Sequence, residues 1–327
     1  MTKPIRWGIL GTGAIAKKFA TGLTALADAT LAAVGSRTQA AADAFGDQFN
    51  VPARYDSYEA LAQASDVDVI YVATPHTLHC ENSLLCLAAG KGVLCEKPFT
   101  INAQQAKEVI DFARQKQLFL LEAMWPRYIP LIVKLRELLA QDVIGEVRML
   151  QADLGFSSRF NPQSRLYDPA LGGGAMLDVG VYPVSLASMI FGKPDRVVSM
   201  AHLGESGVDE QSAMVLGYAG GEIAIASTSI RVVTSREAVL LGSTGQIRLH
   251  VPWLAPTKMT ISRPGQADEV IAMSFEGNGY NYEAAEVGHC LRAGKLESEA
   301  MPLDETLAIM ETMDEARRQW GLKYPME

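Results

Sequence analysis

Cysteine is scarce in this chain: four residues in 327, Cys80, Cys86, Cys95 and Cys290, with no Cys-x-x-Cys spacing. Three of them fall in apolar segments, where a free thiol behaves as a small hydrophobe. They read as reduced core cysteines, and no metal site is expected of them. Positive charge is also short, with 29 Lys and Arg against 37 Asp and Glu and a net charge of −8. Nucleic-acid affinity comes largely from phosphate neutralisation, so no nucleic-acid partner is expected. A local basic site for one phosphate remains compatible with that balance. No apolar run reads as long as the roughly 20 residues a membrane span needs. Met1 to Trp7 contain no signal-peptide core. The expectation is a cytoplasmic protein with no membrane partner. Internal repeats and low-complexity linkers are absent as well.

What is present suits two domains, because 327 residues exceed one ordinary core. Up to about Ala123, short apolar strands alternate with helical patterns. The strands are read at Ile5–Leu10, Thr30–Gly35, Val69–Ala73, Gly92–Cys95 and Phe119–Leu121, with helical patterns such as Ala40–Phe49 and Ser57–Gln63. Val69-Ile70-Tyr71-Val72-Ala73 is apolar on both faces, as a strand in a covered parallel sheet must be. The alternation implies a doubly wound α/β domain over residues 1–123.

Beyond Trp125 the pattern changes. A helix over about Pro130–Gln141 leads into strands at Val147–Phe156, Arg196–His202, Ser212–Tyr218, Glu222–Ile230, Glu237–Leu241, Gln246–Val251, Lys258–Ser262 and Glu269–Ser274. Turn signals such as Ala219-Gly220-Gly221 separate several of them, which predicts a mostly antiparallel sheet. Helices over Tyr282–Ala293 and Leu303–Trp320 complete an α+β domain spanning residues 124–327. After its first residue, Glu222–Ile230 carries no charge on either face. One face is expected to pack on helices and the other on a second copy of the chain, giving a homodimer.

The strongest chemical signal is Gly11-Thr12-Gly13-Ala14-Ile15-Ala16, a Gly-x-Gly-x-x-Ala turn between the first strand and an amphipathic helix. A pyrophosphate approaches a backbone closely only where side chains are absent, and the free N–H groups of the helix start bind its charge. Gly11, Gly13, Ala14 and Ile15 are therefore expected to hold a dinucleotide. Ser36 lies 20 positions beyond Ala16, where such folds meet the adenosine ribose. An acid there would bind a 2′-hydroxyl and repel a 2′-phosphate. The acid is missing, and Ser36-Arg37 offers a hydroxyl and a guanidinium, which suit a phosphomonoester. NADP is preferred, with NAD second.

Loops at the carboxyl ends of parallel strands line the ligand crevice. Thr74, Pro75, His76 and His79 follow one such strand and should flank the cofactor, with one histidine free to meet substrate; their i,i+3 spacing alone does not make a metal site. Glu96-Lys97-Pro98 follows another strand and sets a fixed positive charge beside the reacting carbon. The proline restricts Lys97 to extended geometry and permits a cis bond. Gly172-Gly173-Gly174 lets the backbone pass close to something flat or bulky. Asp178 and Tyr182 then lie at i,i+4, on one face if that segment is helical. A tyrosine ordinarily ionises near pH 10, about three units too high for a base near neutrality. A neighbouring ammonium such as Lys97 would favour the phenolate, and Asp178 would accept a substrate hydroxyl bond.

These motifs together resemble the Gfo/Idh/MocA oxidoreductase family over nearly the whole chain. Gly11–Ala16, Thr74-Pro75, Glu96-Lys97-Pro98, the glycine-rich run through Asp178 and Tyr182, and Gly242–Ile247 all carry the likeness. Glu122–Arg127 and Gly207–Asp209 point to its branch of dihydrodiol and NADP-linked D-xylose dehydrogenases. The resemblance implies a Rossmann domain followed by a domain built on a large open sheet. It also implies that Lys97 and Tyr182 carry catalysis, and that Trp125 and Arg127 line the nicotinamide. Phe156, Trp253 and Tyr280 are aromatic candidates for the substrate pocket, since sugar and arene faces stack on such rings. The short, glycine-rich Phe275–Tyr280 loop departs from that branch.

The reading is an NADP-dependent oxidoreductase that moves a hydride between the carbinol carbon of a sugar or cyclic diol and nicotinamide. It requires the Lys97 ammonium and the Tyr182 phenol, from separate domains, to converge. Two alternatives remain: redox-neutral use of the cofactor in epimerisation or glycoside cleavage, and a non-catalytic NADP sensor. The sensor would be expected to have lost the Lys97, Asp178 and Tyr182 set, which is intact here.

Overall fold

The computed structural model describes residues 3–327, in two compact units. Among these, the first unit takes in residues 3–128 and Glu276–Thr306, and the second Ile129–Phe275 and Leu307–Glu327.

The first unit holds a six-stranded sheet of β1 (Ile5–Leu10), β2 (Ala29–Gly35), β3 (Ala53–Tyr55), β4 (Val69–Val72), β5 (Gly92–Glu96) and β6 (Leu120–Ala123). All its pairings are parallel, in the order β3-β2-β1-β4-β5-β6. That is the doubly wound dinucleotide order, whose switch point lies between β1 and β4. The apolar run read as a covered strand is indeed buried at every position of β4. β3 has only three residues, Ala-Arg-Tyr, too few for a period to show, and was not anticipated.

Helices α1 (Ala14–Leu23), α2 (Gln39–Phe49), α3 (Tyr58–Ala62), α4 (His79–Ala88) and α5 (Ala103–Lys116) connect the strands. Side-chain caps start three of them: Thr38 accepts from the Ala41 N–H, Ser57 from Ala60 and Asn102 from Gln105. Each cap satisfies an amide that the helix leaves unpaired. α1 buries Ala16, Phe19, Ala20 and Leu23 against the sheet. The Phe19 ring stacks on Tyr71 of β4 at 3.8 Å between centroids. Burial of such a ring stabilises by about 1.5–3 kcal/mol.

The expected single boundary at 123/124 differs from these compact units, because the chain returns late to the first one. A helix over Tyr280–Arg292 packs on α1, Asn278 donates to the carbonyl of Lys18, and the Leu120 N–H donates to Leu296. These contacts join residues far apart in sequence, where local patterning is blind.

The second unit opens with α6 (Pro130–Ala140) and β7 (Val147–Gly155), followed by α7 (Val181–Phe191). β8 (Arg196–Leu203), β9 (Asp209–Gly217), β10 (Ile223–Ser229), β11 (Ala238–Gly242), β12 (Gln246–Leu249), β13 (Lys258–Ser262) and β14 (Glu269–Ala272) complete an eight-stranded sheet. Its order is β14-β13-β12-β11-β7-β10-β9-β8, and β7 with β10 is its one parallel pair. The Tyr280–Arg292 helix is α8, and α9 (Leu303–Trp320) ends the element order. One sheet face is core, with Leu150, Ala152, Met214, Leu216, Ala224, Ala226, Leu240 and Ile247 all buried. α7 covers part of it through β7 and β10.

The stretch Pro169–Phe191 corrects the expectation about apolar runs. It has 23 residues and a mean hydropathy of 1.5, long and apolar enough by composition to cross a membrane. In this fold 83% of its window is buried, so the core of the second unit accounts for its apolarity.

Candidate active site

Within the first unit, the Gly11–Gly13 turn leaves β1 at the switch point. Gly11 takes φ +105°, and a Cβ there would stand 2.7 Å from the carbonyl oxygen of Ala73. Glycine is required at that position by the fold itself. Gly13 is different: its φ is −72°, and a Cβ on it would meet nothing within 4 Å. The space beside Gly13 is open, α1 has no side-chain cap, and its first turn holds no acidic residue. Unpaired N–H groups facing open space at a helix start fit an anionic phosphate. Ser36 is buried at the end of β2, 3.3 Å from the Thr12 hydroxyl, and Arg37 beside it is exposed. Sequence reasoning did not single out Thr12.

The loop after β4 is tied to the segment after β5. His79 is 1% exposed, with Nδ1 2.8 Å from the Pro98 carbonyl and Nε2 3.0 Å from that of Thr74. Burial pushes its pKa down to about 4, against the pull of those carbonyls. A neutral imidazole carries one N–H, so it donates to one carbonyl at a time. His79 thus braces two cofactor-side loops through its ring nitrogens. Its neighbour His76 is half-buried, with ring centroids 5.7 Å apart. The Asn82 amide donates to the Thr74 hydroxyl at 3.1 Å, which holds Thr74 and Pro75 at the strand end. Among the described residues, no group of three or more His, Cys, Asp or Glu is placed to hold a metal ion.

The Lys97–Pro98 bond is cis. Glu96 is buried beneath it, accepting from the Tyr71 hydroxyl and from the Lys97 N–H at 3.1 Å. Burial pushes the Glu96 carboxyl up, opposed chiefly by the Lys97 ammonium. Glu283 of α8 is fully buried, and neither of its oxygens has a hydrogen-bond partner among the described residues. Burial and the neighbouring Glu96 charge raise it well above the usual carboxylate range. Glu96 therefore anchors the Lys97 backbone.

Trp125 stacks on Tyr280 at 5.2 Å between centroids, both within the first unit. Arg127 is 3% exposed, donating to Glu305 at 2.5 Å and to the Ala300 carbonyl at 3.1 Å. These bonds hold it inside the unit, so its guanidinium fixes the Trp125 turn to the late segment.

Within the second unit, Asp178 lies in a π-helical turn, Met176–Gly180, that leads into α7 and Tyr182. Such one-turn widenings are frequent at functional sites. The widening offsets the simple i,i+4 stacking expected of an α-helix. Two of the glycines before it lie directly against protein atoms. A Cβ on Gly173 would meet the carbonyls of Leu166 and Asp168 at 2.9 Å, and one on Gly174 would meet Asp209 at 2.3 Å. Asp209 is fully buried and accepts the Met176 N–H at 2.7 Å. Desolvation raises its pKa to about 7, although the Met176 N–H opposes this.

Arg165 pairs with Asp178, Nη1 to Oδ1, at 2.9 Å. Its loop carries no recognisable motif, so only packing reveals it. Phe156 is half-buried just past β7, its N–H on the Ser229 carbonyl. Trp253 is 2% exposed and donates its indole N–H to the Asp153 carbonyl at 2.8 Å. It packs inside the unit, where a substrate-facing ring was expected.

Residues 5–123 match the model described as the oxidoreductase family, NAD-binding Rossmann fold, and residues 132–248 match the GFO/IDH/MocA C-terminal domain. The chain is 38% identical over 335 residues to trans-1,2-dihydrobenzene-1,2-diol dehydrogenase of Mus musculus, covering 99% of each. It is 36% identical to D-xylose 1-dehydrogenase (NADP(+)) of Hypocrea jecorina, covering 98% of this chain and 93% of the relative. A 3-ketoreductase from Actinomadura kijaniata, solved with NADP and TDP-benzene, superposes with a TM-score of 0.86 at 26% identity, covering 97% of this chain and 98% of that one. An aldose–aldose oxidoreductase from Caulobacter crescentus shares the fold, with a TM-score of 0.87 at 21% identity over 97% and 98% of the two chains. Two domain models in sequence order and full-length relatives agree: the chain belongs to the Gfo/Idh/MocA oxidoreductase family.

Proposed function

We propose that this protein is an NADP-dependent dehydrogenase acting on the CH–OH group of an aldose or a cyclic vicinal diol. The full-length likeness to one diol dehydrogenase and one NADP-linked aldose dehydrogenase carries this reading. The open space at Gly13, the uncapped start of α1, and Ser36-Arg37 at the end of β2 support a phosphorylated dinucleotide. NADP supplies the hydride acceptor when bound.

The chain's own residues handle the proton and the geometry. In the oxidative direction Tyr182 takes the substrate hydroxyl proton on its phenolic oxygen. The Lys97 ammonium hydrogen-bonds the oxygen that becomes a carbonyl and favours the phenolate form of the base. Asp178 accepts from a neighbouring hydroxyl and orients the ring. The roles of Trp125, Phe156 and Tyr280 are to shape the apolar surroundings of cofactor and substrate.

The test is absorbance of reduced nicotinamide against a panel of aldoses and diols, with NADP and NAD compared. Lys97→Met and Tyr182→Phe should each abolish most turnover while NADP still binds. Undiminished rates in both purified variants defeat the mechanism. Nucleotide that co-purifies without net NADPH formation would instead favour redox-neutral chemistry.

The working form is proposed to be a homodimer through the outer face of the second unit's sheet. There Val198, Val215 and Ile225 stand in one cross-strand row that continues through Gln151 to Val239, and Met200 is 78% exposed. A large apolar face of this kind favours a partner. Ile225→Asp should yield a monomer by light scattering, and an unchanged mass refutes this interface. The four cysteines, all buried and outside any disulfide, suit a reducing compartment, so a cytoplasmic location is proposed.

A further inference from the structure

We propose that Arg165 is a substrate-binding residue: with Asp178 it forms a donor–acceptor clasp that reads two adjacent hydroxyls. The proposal rests on the dehydrogenase reading and deepens it.

The two members of this ion pair differ sharply in setting. The Asp178 side chain is 9% exposed and that of Arg165 is 59% exposed, while Nη1 and Oδ1 lie 2.9 Å apart. The Arg165 end is exposed enough for solvent to screen the pair, which holds its contribution to the fold to about 1 kcal/mol. A guanidinium has five N–H donors in a fixed fork, and one contact with Asp178 leaves most of the fork open to solvent.

The loop holding Arg165 is braced on both sides. The Ser164 N–H donates to the Asn161 carbonyl, and the Tyr167 and Asp168 N–H groups both donate to Ser164. Tyr167, 2% exposed, donates its hydroxyl to the Ser158 carbonyl at 2.9 Å. The Gly174 N–H donates to the Leu166 carbonyl at 2.8 Å, which ties this loop to the segment carrying Asp178. Gly173 has no Cβ, and one would collide with the Leu166 and Asp168 carbonyls at 2.9 Å. The glycine run therefore lets the Arg165 loop lie directly against the Asp178 segment.

The chemistry of the pair is complementary. A carboxylate only accepts and a guanidinium only donates, whereas each substrate hydroxyl does both. Asp178 takes the hydrogen of one hydroxyl while Arg165 donates to the oxygen of its neighbour. A mono-alcohol or a 2-deoxy sugar forgoes one of these charge-assisted bonds, which lowers its kcat/KM relative to the vicinal substrate.

The test uses full-length wild type, Arg165→Met and Arg165→Lys with saturating NADP. The probe pairs are trans-cyclohexane-1,2-diol with cyclohexanol, D-glucose with 2-deoxy-D-glucose, and D-ribose with 2-deoxy-D-ribose. Wild type should prefer the vicinal member of each pair it oxidises. Arg165→Met should cut that kcat/KM ratio by about tenfold or more, chiefly through KM for the vicinal member, and Arg165→Lys should fall between. The KM for NADP and the melting temperature should stay at wild-type values, since a structural role would move the latter. A wild type without vicinal preference, or an Arg165→Met variant that keeps it, overturns the clasp and leaves the dehydrogenase reading standing. A wild type inert toward every pair, sugars and diols alike, overturns both.

Discussion

Tyr324 donates its phenolic hydrogen to the carbonyl of Gly173 across 2.6 Å, although 151 residues separate them in sequence. The Tyr324 ring is also met by the Arg317 guanidinium, 5.0 Å from its centroid, and Arg317 is held by Asp314 and Glu327. The glycine run ahead of Asp178 is thus fastened from behind by the last residues of the second unit.

Tyr324→Phe keeps the ring and deletes the bond, leaving a buried carbonyl unpaired. A cost of about 1–3 kcal/mol is expected, read as a lower melting temperature. If the clamp holds the Asp178 segment in place, kcat falls as well while the KM for NADP stays fixed. Thermal denaturation and steady-state kinetics on one preparation check both.

Gly11 and Gly13 should respond oppositely to the same substitution. Gly11→Ala meets both a positive φ and the Ala73 carbonyl, so the fold itself loses stability. Gly13→Ala has ordinary backbone angles and open space, so the melting temperature should hold. Its methyl group would project into the space proposed for the pyrophosphate, and the KM for NADP should rise about tenfold or more. Equal loss of stability in both variants contradicts this division.

Arg37→Ala should weaken NADP selectively. A charge-assisted bond to a phosphate contributes about 1.5–3 kcal/mol, or about 10–100-fold in affinity. The NADP-to-NAD ratio of kcat/KM should fall by that factor, with NAD kinetics unmoved. Adding Ser36→Asp should reverse the preference, because a carboxylate accepts from the 2′-hydroxyl and repels the 2′-phosphate.

Glu122 should make the fold less stable as pH rises. It is fully buried and accepts from the Thr306 hydroxyl at 3.0 Å, and burial pushes its pKa up from 4.5 to about 7. Between those values the folded state holds a proton that the unfolded chain releases, so this contribution is complete below about pH 4.5 and lost on rising through 7. His79 works the other way, because its pKa falls from 6.5 to about 4 and its contribution is lost as pH drops through that window. Comparing melting temperatures of Glu122→Gln and wild type from pH 5 to 8 isolates the first effect. The variant should show a flatter decline between pH 5 and 7, and parallel curves across that range would refute the assignment.

The legible parts of this protein were those encoded in neighbouring residues. The Gly11–Gly13 turn, the covered β4 strand and the eight strands of the second sheet each announce themselves by spacing or alternation. Arg165 and Tyr324 do not. Each is an ordinary residue in an ordinary stretch, and it acquires a role only through a partner that the fold delivers. Trp253 and His79 show the reverse case: conspicuous residue types whose polar atoms are spent on backbone carbonyls.

The sequence alone determined the parallel and antiparallel layers, the dinucleotide turn and the missing acid at Ser36, since strand period, glycine geometry and local charge act over a few residues. Only the tertiary structure decided that the first unit reclaims residues 276–306, that the glycine run packs against Leu166 and Asp168, and that Arg165 meets Asp178. Those outcomes depend on which distant surfaces exclude water together, and chain order carries no direct record of that.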